Sequence, residues 1–284
     1  MEIIIAEESG LCYGVKRALA MARRVRKIKS GNVVTLGALI HNPRVIADLE
    51  AEDITSVGEP EEIRSGTVVI RSHGVSPAVY RRLERRKIAV VDATCPIVKK
   101  IQRLVESLGR KRMEIVIVGD HEHPETRGLV GYSRGRGVVV ETVAQAQALP
   151  ARKARAVLAQ STEDIGLLER VAAVLMEKTK ELTVYNTICD STRTRQRATS
   201  ELAGRVDALL IVGGRTSSNT AKLYEISKRI QPRTYFVENA GQITPAMLRG
   251  AEKIGISGGA STQPEAIQEA FEFIRRTFIR NSAM

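Results

Sequence analysis

The sequence predicts an α/β protein of three similar small lobes, each with a mostly parallel sheet. Three observations carry that expectation. Short apolar runs of strand length alternate with segments of helical periodicity; the same order of parts recurs three times along 284 residues; and one cysteine stands at the same place in each recurrence. Alternating strands and helices build parallel sheets whose ligand-binding loops follow the carboxyl ends of the strands. The expected lobes are 13–95, 96–189 and 190–284. If they meet around a pseudo-threefold axis, as a trefoil, each contributes one thiol to a shared centre.

The first strand is the run Ile3-Ile4-Ile5, followed by a turn at Ser9-Gly10. Cys12 then stands where a helix begins, near Gly14, and that helix runs to about Lys29 with Val15, Ala18, Leu19, Ala22 and Val25 at helical spacing, ended by Ser30-Gly31. Free N–H groups and the helix dipole at such a position favour the thiolate, the form that binds metals or attacks. A lone cysteine is more often a small buried hydrophobe. The repeat reverses that reading.

A strand-like run from Val33 to Ile40 delivers His41-Asn42-Pro43, and Thr67–Ile70 delivers Arg71-Ser72-His73-Gly74. Ile88–Val91 leads into Asp92-Ala93-Thr94-Cys95-Pro96, with proline suited to the first turn of a helix reaching about Gly109. Glu114–Val118 ends at Gly119-Asp120-His121-Glu122-His123-Pro124-Glu125, and Ala156–Ala159 ends at Gln160-Ser161-Thr162. Leu182–Tyr185 leads to Cys189 and a helix containing Arg195 and Gln196. Ala208–Val212 ends at Gly213-Gly214 with Ser217-Ser218-Asn219 beyond, and Lys253–Ile256 ends at Ser257-Gly258-Gly259-Ala260-Ser261-Thr262.

Of these residues 43% are hydrophobic and 27% charged, an ordinary globular composition. No apolar run approaches the about 20 residues needed to span a bilayer, and no basic segment leads into a cleavable apolar one, so the expectation is a cytoplasmic protein with no membrane partner. The net charge of +12 lies partly in clusters such as Arg23-Arg24-Val25-Arg26-Lys27. Such clusters are usually solvated helix faces; with 4 Phe, 6 Tyr and no Trp, stacking on nucleic acid is poorly supported and no nucleic-acid partner is expected.

Three thiolates from three lobes, with no fourth cysteine, suit a metal centre with one open position. Zinc held with a histidine is one option, and an iron–sulfur cluster with a non-protein ligand on its fourth iron is the other. The paired C-x-x-C knuckle usual in structural zinc sites is absent. All four histidines, His41, His73, His121 and His123, fall in the strand-end loops. Together with Ser217, Ser218, Asn219, Ser261 and the paired glycines they form a donor-rich rim of the kind a diphosphate needs. Glu125 is the best-placed carboxylate for proton transfer. Asp92, three residues before Cys95, is read as structural.

Gly10-Leu11-Cys12-Tyr13-Gly14-Val15-Lys16-Arg17-Ala18, His41-Asn42-Pro43, Arg71-Ser72-His73-Gly74-Val75, Asp92-Ala93-Thr94-Cys95-Pro96, His123-Pro124-Glu125, Thr187-Ile188-Cys189 with Arg195-Gln196, Ser217-Ser218-Asn219 and Gly259-Ala260-Ser261-Thr262 together resemble the 4-hydroxy-3-methylbut-2-enyl diphosphate reductases, the last enzymes of the methylerythritol phosphate route to isoprenoids. The match runs over nearly the whole chain in the family's order. The resemblance implies a trefoil of three lobes around a four-iron, four-sulfur cluster, with the strand in 1–12 joining the third lobe. It implies Cys12, Cys95 and Cys189 as cluster ligands, Glu125 as proton donor with Ser161 beside it, and His41, His73, His123, Ser161, Thr162, Ser217, Ser218, Asn219 and Ser261 as substrate contacts. It further implies ferredoxin or flavodoxin as electron donor, an allylic diphosphate as substrate, and isopentenyl and dimethylallyl diphosphates as products. This chain departs from the family pattern at Leu11, where phenylalanine is frequent, at Ser161, where threonine is usual, and at Gln263.

Overall fold

A computed structural model describes residues 1–29, 31–111 and 113–279. Ser30, expected to end the first helix with Gly31, lies outside the described residues. In chain order the strands are β1 (Glu2–Ile5), β2 (Val33–Leu36), β3 (Ile54–Val57), β4 (Thr67–Ile70), β5 (Ala89–Asp92), β6 (Glu114–Val118), β7 (Gly137–Val140), β8 (Arg152–Ala159), β9 (Thr179–Tyr185), β10 (Ala208–Val212), β11 (Thr234–Val237) and β12 (Lys253–Gly258). The α-helices are α1 (Tyr13–Ile28), α2 (Pro43–Ala51), α3 (Pro77–Arg85), α4 (Pro96–Arg110), α5 (Pro124–Tyr132), α6 (Val143–Ala148), α7 (Ile165–Met176), α8 (Asp190–Ala203), α9 (Ser218–Ile230), α10 (Pro245–Leu248) and α11 (Pro264–Ile274).

The strands form three parallel four-stranded sheets ordered β3-β2-β4-β5, β7-β6-β8-β9 and β11-β10-β12-β1. One connection pattern is used three times. The third sheet borrows its last strand from the chain's beginning, with Glu2 opposite Lys253 and Ile5 opposite Ile256. The central strands are largely apolar and buried on both faces, as parallel sheets covered by helices require: β2, β4 and β10 are buried at every position, while β8 and β12 start with exposed residues. By packing, the chain divides into two compact units, one of Met1–Tyr13, His41–Val45 and Asp190–Met284, the other of Gly14–Ile40 and Ile46–Cys189. The first two sheets share the second unit, where α3 and α4 both pack on α5.

The apolar run from Val33 to Ile40 is not one strand. It ends at Leu36, because Gly37 takes φ +70° and its N–H donates to Val57 O at 2.7 Å. Gly119 after β6 and Gly213 after β10 repeat the device, donating to Val140 O and Val237 O at 3.0 Å. A Cβ at Gly37 would stand 2.3 Å from the Arg71 guanidinium, and one at Gly213 2.6 Å from Thr262 Oγ1, so only glycine fits. Leu39 and Ile40 are nonetheless 1% exposed each, which is why the run reads as apolar throughout.

At the other end of the second sheet Arg155, fully buried on β8, donates to the Glu114 carboxylate, to Thr179 Oγ1 at 3.1 Å and to Pro150 O. Glu114 keeps a second partner, Arg152 Nε at 3.0 Å, so what Arg155→Ala removes is buried packing and the donor to Pro150 O and Thr179 Oγ1. The variant is expected to be destabilised by about 1–3 kcal/mol, read as a lowered urea midpoint.

Candidate active site

Glu125 is the second residue of α5 and 1% exposed. Pro124 pre-sets the first turn and His123 caps it, Nδ1 accepting the Glu125 N–H at 3.2 Å. Because Nδ1 accepts, the ring's donor is Nε2. The His73 ring stands edge-on to it, centroids 5.2 Å apart. Ser161, two residues past β8, donates its N–H to Glu125 Oε1 and its hydroxyl to Oε2, both at 2.7 Å. Burial pushes the Glu125 carboxyl above the ordinary carboxylate range, against the opposing pull of the two Ser161 bonds. A carboxyl whose protonated form is favoured by burial and which is held at both oxygens is equipped as a general acid.

Ser161 also joins this acid to a thiol-bearing turn, since its carbonyl accepts the Cys189 N–H at 2.9 Å. Beside it, Gln160 Oε1 accepts from the Asp120 N–H and the Thr126 hydroxyl, both at 3.2 Å, and Gln160 Nε2 donates to Thr162 Oγ1 at 2.9 Å. Gln160 thus orients Thr162 and ties together the loops after β6 and β8.

In the other unit, Ser217 caps α9, its Oγ accepting the Thr220 N–H at 3.4 Å, and Ser218 is the first residue of that helix. Ser261 Oγ lies 3.2 Å from Ser217 Oγ and from the His41 carbonyl. Asn42 Nδ2 donates to Ser261 O at 2.7 Å and its Oδ1 accepts the Arg44 N–H at 3.0 Å, which anchors the turn carrying His41. Asn219 is 3% exposed; its Oδ1 accepts the Ala260 N–H at 2.9 Å, while Nδ2 has no partner among the described residues. Three short polar side chains and one unspent donor at a helix N-terminus are a place for an anion.

None of the three cysteines is in a disulfide, and each is half-buried and directly precedes a helix: Cys12 before α1, Cys95 before α4, Cys189 before α8. Each amide is held alike, by a carbonyl two residues beyond the third strand to pair in its sheet: Cys12 to Ala260 at 3.0 Å, Cys95 to Ser72 at 2.9 Å, Cys189 to Ser161 at 2.9 Å. Reduced, reachable thiols at helix N-termini are the donor set an iron–sulfur cluster takes.

His121 does not join the histidine rim. It is exposed and paired with Glu141 at 2.6 Å and Glu122 at 3.1 Å, so its carboxylate neighbours take both ring nitrogens. Sequence reasoning also passed over the clamps on the cysteine turns. Arg195, 2% exposed, donates from Nη2 to Gly10 O at 2.8 Å, and Arg17 Nη1 donates to Thr94 O at 3.2 Å. The signal available was an arginine five or six residues after a cysteine in two of the three repeats.

Three repeated parallel sheets, one cysteine at a helix head per sheet, and a buried acid beside a histidine pair define a triplicated class of α/β protein. A family model described as LytB protein matches residues 3–275, and the chain belongs to that family. It is 41% identical over 275 residues to the 4-hydroxy-3-methylbut-2-enyl diphosphate reductase of Geobacter metallireducens, covering 97% of each chain. It is likewise 41% identical over 279 residues to the enzyme of that name from Caldanaerobacter subterraneus subsp. tengcongensis, again over 97% of each. Among solved structures it is similar to an (E)-4-hydroxy-3-methyl-but-2-enyl diphosphate reductase described as the terminal enzyme of the non-mevalonate pathway, at 39% identity and TM-score 0.68, covering 97% of this chain and 100% of that one. The Plasmodium falciparum reductase structure, at 24% identity and TM-score 0.92 over 98% of this chain and 89% of that one, shares the fold.

Proposed function

We propose that this protein reductively dehydroxylates (E)-4-hydroxy-3-methylbut-2-enyl diphosphate: two electrons and two protons convert the allylic alcohol to isopentenyl or dimethylallyl diphosphate, and the oxygen leaves as water. The observation that carries the reading is the buried Glu125 carboxyl, gripped at both oxygens by Ser161, in a chain about 40% identical over nearly its full length to proteins named for this reaction.

Cys12, Cys95 and Cys189 would hold a 4Fe-4S cluster. When bound, the cluster supplies electrons singly and an open, Lewis-acidic iron for the substrate hydroxyl. The remaining chemistry belongs to side chains. The diphosphate is assigned the N–H donors of His41, His73, His123 and Asn219 and the hydroxyls of Ser217, Ser218 and Ser261, and Thr162 is assigned as a further substrate contact. When Glu125 carries a proton at Oε2 the 2.7 Å contact runs the other way: Ser161 Oγ accepts from Oε2, its own hydroxyl proton turns to the departing oxygen, and the carboxyl proton then passes to Oγ. Serine serves here in place of the family's threonine because the relay needs only the hydroxyl. Ferredoxin or flavodoxin delivers the electrons in the cytoplasm, and neither membrane nor nucleic acid takes part. The three lobes 13–95, 96–189 and 190–284, the last completed by 1–12, each supply one ligand.

Protein purified without oxygen is expected to be brown, with a broad absorbance in the visible blue, and to release both five-carbon diphosphates when given the substrate and a one-electron donor. A colourless, zinc-loaded protein that stays inactive after cluster reconstitution overturns the reading.

A further inference from the structure

The cysteine-bearing turns are built alike but charged differently. Three residues ahead of the cysteines stand Ser9, Asp92 and Asn186. Asp92 Oδ1 accepts the Thr94 N–H at 2.9 Å, and Asn186 Oδ1 accepts the Ile188 N–H at 3.3 Å. Both are Asx turns that close one residue before the cysteine and leave its own N–H free for the neighbouring loop. In the third case the Ser9 hydroxyl turns back to Ala6 O at 2.7 Å, and Gly10, at φ +97°, makes the bend. Asn186 demonstrates that an amide oxygen is enough for the turn. The negative charge of Asp92 is therefore not explained by backbone geometry.

That charge is matched with care. Asp92 is about a quarter exposed, and its other oxygen accepts the Tyr80 hydroxyl at 2.8 Å and pairs with Lys99 Nζ at 2.7 Å. Lys99 lies one turn into α4, and its N–H donates to the Cys95 carbonyl at 2.9 Å. Arg17, reaching Thr94 O, adds a second cation to the same turn. One carboxylate and one ammonium thus flank Cys95 from its two chain directions, each three or four residues away.

We propose that Asp92 and Lys99 are positioning residues for Cys95 that act as a pair: Asp92 shapes the turn, and the two charges offset one another so that together they bias the electron affinity of the bound centre less than either would alone. The proposal rests on the cluster reading above. Charge near a cluster shifts its reduction potential by favouring or opposing the added electron.

The test is an anaerobic redox titration of the cluster-loaded protein, followed by electron paramagnetic resonance, with iron release to a chelator measured alongside. Asp92→Asn keeps the Asx acceptor and removes the charge, so its potential is expected to rise. Lys99→Met is expected to lower it, and the double variant to return close to the parent value. Asp92→Ala, which loses the turn as well, is expected to release iron faster than Asp92→Asn. Shifts of the same sign, no shifts, or equal iron release from the alanine and asparagine variants overturn the proposal. If Asp92→Asn does not fold, Lys99→Met decides alone: its side chain is about one-third exposed, and an unchanged or raised potential overturns the idea. A parent protein without a cluster refutes the cofactor reading instead.

Discussion

Glu125→Gln is expected to lower kcat by about 10²–10⁴-fold while leaving iron content and substrate binding near the parent level. Glutamine keeps the shape and an oxygen for the Ser161 N–H, now held at 2.7 Å, but it has no proton to pass to the Ser161 hydroxyl. A mere packing role predicts little change in kcat, so unchanged turnover would remove Glu125 from its assigned part. The pH dependence gives the same assignment a second reading. Burial raises the Glu125 carboxyl, and the protonated form is the donor, so kcat of the parent is expected to fall as pH rises through that elevated value, while the glutamine variant stays low without that inflection. Stability follows the same sign. A folded-state value above the unfolded one contributes stability that is complete below the ordinary carboxylate range and lost as pH rises through the folded value. Urea midpoints of the parent should decline over that window, and those of Glu125→Gln should decline less.

Cys189→Ala is expected to abolish both cluster and turnover while preserving the fold. The thiol is half-buried and reduced, and the contact that holds this turn to the loop after β8 is the backbone bond from Cys189 N to Ser161 O at 2.9 Å, which alanine retains. A cluster with two protein thiolates in place of three should not survive purification, so iron per chain should fall toward zero with an unchanged circular dichroism spectrum. Retention of iron at the parent level would show that Cys189 is not a ligand.

Several features of this site are written in residue order alone. The recurrence of Cys12, Cys95 and Cys189 at helix starts is legible because helix heads carry local signals: Pro96 at a first turn, Gly14 after a turn, Asp190 following Cys189. Central strands are legible for a similar reason, since burial on both faces leaves an uninterrupted apolar run such as Ile115-Val116-Ile117-Val118. The outer strands β3, β7 and β11 escape the same reading. Each is four residues long, pairs on one side only and leads to no chemistry-bearing loop, so the strand-favouring residues of Ile54–Val57 and Thr234–Val237 form runs too short to stand out.

What residue order determined is therefore the threefold plan and the chemistry available to it: which thiols, histidines, hydroxyls and carboxylate stand at strand ends, because strand, turn and helix-start preferences act over a few residues. What only the tertiary structure decided depends on neighbours distant in the chain. Gly37 stops its strand where Arg71 crosses it; His121 turns outward to Glu141 while His123 turns inward to cap α5. Glu125 becomes an acid because burial raises its carboxyl against the opposing pull of Ser161, 36 positions away, whose two bonds hold it in place. The Ala260 N–H fixes the Asn219 amide by its oxygen, and packing leaves Nδ2 without a partner among the described residues. Protonation and hydrogen-bond vacancy are properties of an environment, and an environment is assembled by packing.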